Sequence, residues 1–154
     1  MSKVGSLLKS DTPYYTLTLP VSKLDVKFRP FRVKEEKILL LALEEGNDSS
    51  ILIGIRNLLN QCTLTDDGKF DSGDLPMLDM EYLFINLRAK SISEICEPSI
   101  QCPFTGEKAT AKVDLTKIKP PKTDKIKDNR IKLSDTVGVT MKNPTLNALI
   151  ENNI

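Results

Sequence analysis

The residues of this chain best suited to hold a metal are Cys96 and Cys102, in the segment ICEPSIQCPFTG. A zinc knuckle usually has the form CPxCG, in which two thiolates share one tight turn. Here Thr105 stands where the second thiolate of that turn would be, and the chain has no histidine to complete a tetrahedral set. Small thiols packed in a β-hairpin are therefore the preferred interpretation, and a zinc site at Cys96 and Cys102 is the weaker alternative.

The absence of histidine also limits the catalytic chemistry that the chain can perform. It excludes Ser-His-Asp and Cys-His triads and an imidazole general base. The sequence contains no GxxxxGK[ST] phosphate loop, no GxGxxG and no GxSxG. Nothing in the sequence brings two carboxylates into one apolar pocket. We therefore predict a protein that is not an enzyme and needs no cofactor.

Two charged segments suggest binding sites of other kinds. The acidic loop at 66–74 fails as an EF-hand, because position 12 of the loop falls on Met77 or Leu78 and not on a glutamate. Residues 117–132 carry seven basic side chains against Asp124 and Asp128, but no aromatic residue that could stack on bases. We interpret this segment as an arm that docks on an acidic partner protein, with a plain linker or a nucleic-acid contact as alternatives.

Composition indicates an ordinary globular protein. The chain has 154 residues, of which 22 are basic and 21 acidic, and its net charge of +1 does not call for nucleic acid or a membrane. No run of 18 apolar residues exists, so no membrane span is expected. Three cysteines without a secretion signal predict reduced thiols and a cytoplasmic protein.

Hydrophobic periodicity predicts the elements. Alternating apolar residues indicate an antiparallel hairpin of residues 14–19 and 24–29, and a second hairpin of residues 95–101 and 109–115. Helices are expected from Val33 to Glu45, from a cap among residues 48–50 to Cys62, and from Asp79 as N-cap to Ser91. The run ILLLAL in the first helix is apolar on every side, so we expect neighbouring elements to enclose that helix.

These elements predict an α+β fold: an N-terminal β-hairpin, a three-helix core, a second β-hairpin and a basic extended arm. We expect a flexible arm at 1–12 and a compact domain at 13–115. A Lys/Pro-rich linker at 116–130 then leads to a strand and the start of a helix at 131–154.

Two segments resemble a known family. They are YTLTLPVSKLDVKFRPFRVKEEKILLLALEEG and, after NQCTL, LPMLDMEYLFINLRAKSISE. They are similar to the baseplate hub subunit or hub assembly proteins of T-four-type bacteriophages, which share a kFRPFxVKEEKxLLxAxE segment and a DxEYLFxxLRAKS helix. The resemblance is strong over residues 14–115 and weaker over VGVTMKNPT.

The resemblance implies a structural or assembly protein of the hub of a contractile-tail baseplate, which acts through contacts with other baseplate or tail proteins. It implies a place in the host cytoplasm during assembly and in the virion tail afterwards, and it is compatible with an oligomer. The matched segments supply the candidate partner-binding residues: Arg29, Phe31, Arg32, Lys34, Glu35, Glu81, Tyr82 and Arg88.

Two other interpretations of these residues remain open. In the first, Phe31 staples the first turn of its helix while the charged residues face water. In the second, Arg88 is buried and pairs with Glu35 or Glu36.

Overall fold

The computed structural model describes residues 12–65, 68, 70–120 and 129–151. Its first element is the predicted N-terminal hairpin of β1 (Tyr15–Thr18) and β2 (Asp25–Phe28), in which Tyr15 faces Phe28 across the antiparallel pair. Val26 and Phe28 are buried while Asp25 and Lys27 are exposed, as the period of two requires. A short strand that the sequence did not reveal, β3 (Thr63–Leu64), pairs with the other edge of β2.

The three predicted helices are present, and a fourth follows near the end of the chain. They are α1 (Val33–Glu44), α2 (Asp48–Cys62), α3 (Met77–Ser91) and α4 (Leu146–Glu151). The side chain of Asn47 caps α2 by accepting a hydrogen bond from the Ser49 N–H. Gly46, with φ +65°, makes the tight turn between α1 and α2 at a backbone conformation that favours glycine.

Two details of the helices differ from the prediction. The cap of α2 is Asn47 and not one of residues 48–50. Helix α3 begins at Met77, directly after Pro76, so Asp79 lies inside its first turn and is not its cap. The carboxylate of Asp79 is fully buried and accepts hydrogen bonds from the backbone N–H groups of Val21 (2.7 Å) and Ser22 (2.8 Å). Asp79 therefore ties α3 to the turn that follows β1.

The expected enclosure of α1 is wrong. Leu40, Leu41 and Leu43 are 53%, 51% and 50% exposed, and α1 packs chiefly on α2. Ala42 and Gly54 explain the one-sided packing: a Cβ atom on Gly54 would lie 2.9 Å from the Ala42 Cβ. The two small residues let the two helices approach closely along one line, where Leu39 also packs, and Leu40, Leu41 and Leu43 are left about half exposed.

The second predicted hairpin is also present, but it is interrupted. The outer pair is β4 (Ile95–Cys96) with β7 (Val113–Asp114), and the inner pair is β5 (Ser99–Gln101) with β6 (Lys108–Thr110). Pro98 lies between the two pairs, where its missing N–H interrupts the ladder. In place of the single strand expected within 131–154, the chain forms a hairpin of β8 (Arg130–Lys132) and β9 (Gly138–Thr140).

The helices and the small antiparallel sheets confirm the α+β class, and one hydrophobic core joins the first sheet to the helices. Its buried members come from the first sheet, α2, α3, α4 and the connections after β1 and before α3: Leu19, Val26, Phe28, Leu58, Leu59, Cys62, Leu75, Met80, Leu83, Leu87 and Leu146. Cys62 is buried on the apolar stripe of α2, as its position predicts. Helix α4 contributes Leu146, which is 0% exposed, so the compact body includes this C-terminal helix. Of the predicted linker, residues 121–128 lie outside the described part of the chain.

Candidate partner-binding site

The centre of the candidate site is an ion pair between β2 and α1. The Arg29 guanidinium, at the end of β2, donates to Oε1 of Glu35 at 2.9 Å, and the two side chains are only 16% and 9% exposed. The Arg29 side chain also donates to the carbonyl oxygens of Pro30 (3.1 Å) and Gln61 (3.2 Å). Its backbone N–H donates to the Cys62 carbonyl at 3.0 Å. Arg29 therefore joins the end of the central strand β2, the end of α2 and the start of α1.

The Glu35 carboxylate also caps the start of α1. Its Oε2 accepts the backbone N–H of Arg32 at 2.7 Å, which satisfies a donor at the start of α1 in the manner of a capping box. Burial alone would raise the pKa of Glu35, but the hydrogen bonds from Arg29 and from the Arg32 amide outweigh it and lower the pKa. The pKa of Arg29 is correspondingly raised, because its bonds with Glu35 outweigh the desolvation that acts against its charge.

The segment between the ion-paired residues is attached to the end of α3. The Phe31 N–H donates to the Ser91 hydroxyl at 3.0 Å, and that hydroxyl donates to the Leu87 carbonyl at 2.6 Å. The Phe31 ring is half-buried against the hydrophobic core. The path of the chain from β2 into α1 is therefore fixed by contacts with two other helices, α2 and α3.

Two charged side chains of this segment reach the surface. Arg32 and Lys34 are exposed, and the Arg32 guanidinium donates to the Thr12 hydroxyl at 3.1 Å. The charged sequence at 29–35 thus divides into an inner pair, Arg29 and Glu35, and an outer pair, Arg32 and Lys34.

The candidates on α3 lie at both ends of that helix. Glu81 is exposed near its start, beside a shallow cleft that Val21 and Pro144 also line. Tyr82 is half-buried one residue later. Arg88 is also half-buried, one turn before Ser91, and its Nη1 is enclosed without a hydrogen-bond partner among the described residues. The structure therefore brings Arg88 to the end of α3 where Phe31 is attached, while Glu81 and Tyr82 lie two turns away.

The proposed pairing of Arg88 with Glu35 or Glu36 is not found. Glu35 is bound by Arg29, and Arg88 forms no ion pair within the described ranges. Sequence reasoning missed Arg29 as the partner because the two residues belong to different elements, and only the chain path through Pro30 and Phe31 brings them together.

The cysteines do not assemble a metal site in the part of the chain that the structure describes. Within those residues, no group of three or more Cys, Asp or Glu side chains is placed to bind an ion. Cys102 nevertheless sits in a knuckle-like turn, which the Gly106 N–H closes on the Cys102 carbonyl at 2.9 Å. Hydrogen bonds from the Thr105 hydroxyl and from the N–H groups of Thr105 and Phe104 lower the pKa of the Cys102 thiol.

Asp71 and Asp74 of the acidic loop have structural partners. Asp71 accepts from Arg56 Nε at 3.0 Å, from the Asn60 amide at 3.1 Å and from the Gly73 N–H at 2.9 Å. The bond from Arg56 is the main reason that the pKa of Asp71 lies far below its ordinary value. Asp74 accepts from Asn147 of α4 at 2.9 Å. Asp66 and Asp67, like Lys122, Lys125 and Lys127 of the basic arm, lie outside the described residues.

Comparison with known families identifies the class of protein. The sequence model of the family described as "T4 bacteriophage base plate protein" matches residues 12–154, which is nearly the whole chain. The chain belongs to this family. No curated protein and no solved structure gave a significant match. Membership confirms the base plate part of the resemblance, and it makes the chain a structural protein of the phage base plate.

The family match includes every candidate residue of the base plate protein, from Arg29 to Arg88. It also includes α4 and the β8–β9 hairpin, which the resemblance covered only weakly. Within the residues described, no helix of this base plate protein combines the length and the apolar character that a membrane span requires.

Proposed function

We propose that this base plate protein is a non-enzymatic subunit or assembly factor of the base plate hub of a contractile phage tail. The observation that carries the proposal is the family match over residues 12–154. The resemblance of the KFRPFRVKEEK and LDMEYLFINLRAKS segments to hub subunits narrows the base plate role to the hub. The chain would be made as a late protein, assemble in the host cytoplasm, and act through contacts with other base plate or tail proteins.

The proposed contact surface is the entrance to α1, with Arg32 and Lys34 as the side chains that touch the partner. Both side chains are exposed. The backbone segment that carries them is held in place by contacts with α2 and α3 and by the Arg29–Glu35 ion pair. A rigid segment loses little conformational entropy when it binds, which favours its use in recognition. In this proposal the entrance to α1 keeps its conformation through the contacts of Arg29, Phe31 and Glu35 with the rest of the protein.

The residues on α3 extend the proposed surface. Arg88 is half-buried one turn before Ser91, to which Phe31 is hydrogen-bonded, so its exposed part lies at the end of α3 that adjoins the α1 entrance. Glu81 and the half-buried Tyr82 offer a second contact near the start of the same helix. Because Arg32 and Lys34 are both basic, the partner surface opposite the α1 entrance should be acidic.

A complementation experiment tests the proposal. A phage that lacks this gene is grown on cells that supply either the wild-type protein or the Arg32→Glu/Lys34→Glu variant, and tails and base plates are counted by electron microscopy. We expect wild type to restore base plates and the double variant to leave incomplete ones. The control is Lys112→Glu, a matched change at an exposed lysine outside the surface, which should restore base plates as wild type does.

The outcomes of this experiment test the base plate role of the protein and the proposed contact surface separately. Normal base plates without the gene would overturn the base plate role. Normal base plates with the double variant would overturn only the surface. Chemical cross-linking of base plates isolated from infected cells then tests the hub position, which requires cross-links to central proteins and not to peripheral ones.

A further inference from the structure

The exposed face of α1 carries an apolar patch with a charged residue at each end. Leu40, Leu41 and Leu43 are each about half exposed, and Ile53 of α2 continues the patch at 43% exposure. Leu41 and Ile53 line a shallow groove whose floor is the close contact of Ala42 with Gly54. Contiguous apolar surface of this kind is uncommon in soluble proteins unless another surface covers it.

The charges along this face have opposite signs at its two ends. Lys37 lies about one turn before Leu40 and Leu41, and Glu44 lies about one turn after them. Both side chains are exposed, and neither forms an ion pair among the described residues. Because an α-helix has 3.6 residues per turn, one side of α1 carries all four of these residues: Lys37, Leu40, Leu41 and Glu44.

We propose that this face binds the same face of a second copy of the chain, with the two α1 helices antiparallel about a two-fold axis. An axis that passes between Leu40 and Leu41 places Lys37 of each copy opposite Glu44 of the other. It also places Leu40 of each copy against Leu41 of the other, beside the groove next to Ile53. The surface is therefore complementary to itself, as a two-fold interface requires.

The order of the charges along α1 favours the antiparallel pair over a parallel pair and over an unrelated partner. A parallel pair of α1 helices would place Lys37 near Lys37 and Glu44 near Glu44, and like charges would oppose it. An unrelated apolar partner would need no such order of charges. The proposed contact centres on one helix of each copy, so we expect a dissociation constant of about 10 µM and not a permanent dimer.

This inference goes beyond the proposed function and does not rest on it. Dimer formation is a property of the purified chain in the absence of any other phage protein. It also uses the middle of α1 around Leu40 and Leu41, whereas the base plate partner is assigned to Arg32 and Lys34 at the start of the helix. A failure of one proposal therefore leaves the other intact.

The first test measures the oligomeric state of the purified protein by sedimentation equilibrium across the micromolar range. Wild type should show a reversible monomer–dimer equilibrium. Leu40→Glu should weaken association by about 100-fold, because it places a carboxylate in the apolar centre of the interface twice per dimer. Leu133→Glu, an equally drastic change at an exposed leucine of the β8–β9 hairpin, should not alter association. Circular dichroism and urea unfolding check that each variant is folded.

The second test exchanges the charges. Lys37→Glu and Glu44→Lys should each weaken the homodimer by about tenfold, because each converts two attractive pairs into repulsive ones. An equimolar mixture of these two variants should form heterodimers at wild-type affinity, and the Lys37→Glu/Glu44→Lys double variant should form wild-type homodimers. A folding defect cannot produce such rescue on mixing.

Three results would overturn the proposal. The first is a wild-type protein that stays monomeric at all concentrations, which would leave the face to another base plate protein. The second is a dimer that Leu40→Glu does not affect. The third is a pair of charge variants that neither weaken association alone nor restore it together, which would exclude the antiparallel arrangement.

Discussion

At the scale of single residues, the charged string at 29–35 has two parts with different physical roles. Arg29 and Glu35 are mostly buried and paired with each other, so they stabilise the junction of β2 and α1. Arg32 and Lys34 are exposed and contribute little to that junction. Substitution of Arg29 would strand a buried carboxylate, which makes Arg29 unsuitable as a probe of partner binding.

The Arg29–Glu35 pair predicts how stability depends on pH. The folded-state pKa of Glu35 lies below its ordinary value of 4.5. The stabilisation is therefore fully present above pH 4.5 and is lost as the pH falls through the folded-state pKa. Glu35→Gln should lower the free energy of unfolding at pH 7 by about 2 kcal/mol and reduce its loss on acidification.

The measurement is urea unfolding at a series of pH values from neutral to acidic. Glu36→Gln is the matched control, because the adjacent Glu36 side chain forms no ion pair among the described residues and should change stability little. Equal acid sensitivity in Glu35→Gln and wild type would show that the buried pair does not contribute.

The cysteines predict a second residue-scale difference, in thiol reactivity. Burial raises the pKa of the Cys62 thiol to about 11, whereas hydrogen bonds from the Thr105 hydroxyl and backbone lower that of Cys102. In a Cys96→Ser background at neutral pH, a thiol reagent should therefore label Cys102 first and Cys62 only after unfolding. Thr105→Val should slow the labelling of Cys102, because it removes the first of these hydrogen bonds. Rapid labelling of Cys62 in the folded protein would contradict its burial.

At the scale of elements, hydrophobic periodicity predicted whether almost every segment is a helix or a strand. It did not predict which other elements each one packs against. The hairpin of β1 and β2 follows from its alternating residues, and α2 follows from one apolar stripe. The face of α1 could not be predicted, because ILLLAL is apolar all round and the line of contact depends on Gly54, in another helix. Likewise β3 has only two residues, too few for a period of two to be visible.

The α1–α2 contact predicts a specific steric effect. Gly54→Ala places a Cβ atom 2.9 Å from the Ala42 Cβ, closer than such atoms approach, so α1 must shift. We expect the free energy of unfolding to fall by about 1–3 kcal/mol, although alanine is the better helix former. The Ala42→Gly/Gly54→Ala double variant moves the methyl group to the other helix, and it should recover part of the loss.

Urea unfolding of the two single variants and the double variant forms a double-mutant cycle. Strictly additive effects of the two substitutions would mean that the helices do not meet at these residues. A Gly46→Ala variant is the matched control. No heavy atom lies near the position of a Cβ on Gly46, so the loss in free energy of unfolding should come from the positive φ alone.

At the scale of the whole molecule, the resemblance of two segments predicted the family, while the extent of the compact body needed the structure. Helix α4 begins near the end of the chain, and a six-residue helix carries too little pattern to reveal what it packs against. Its attachment depends on contacts distant in sequence. The Met77 N–H donates to the Pro144 carbonyl at 3.0 Å, and Asn147 donates to Asp74 at 2.9 Å.

The contrast between α4 and the hairpin before it gives a prediction for the whole molecule. Leu146 is fully buried in the common core, whereas every residue from 129 to 144 is exposed. Leu146→Ala should therefore lower the free energy of unfolding by about 3 kcal/mol. Replacement of residues 129–141 by a Gly/Ser stretch of equal length should leave it nearly unchanged, because an isolated two-stranded hairpin adds little stability. Urea unfolding measures both, and equal losses in the two variants would mean that the hairpin packs into the body as firmly as α4.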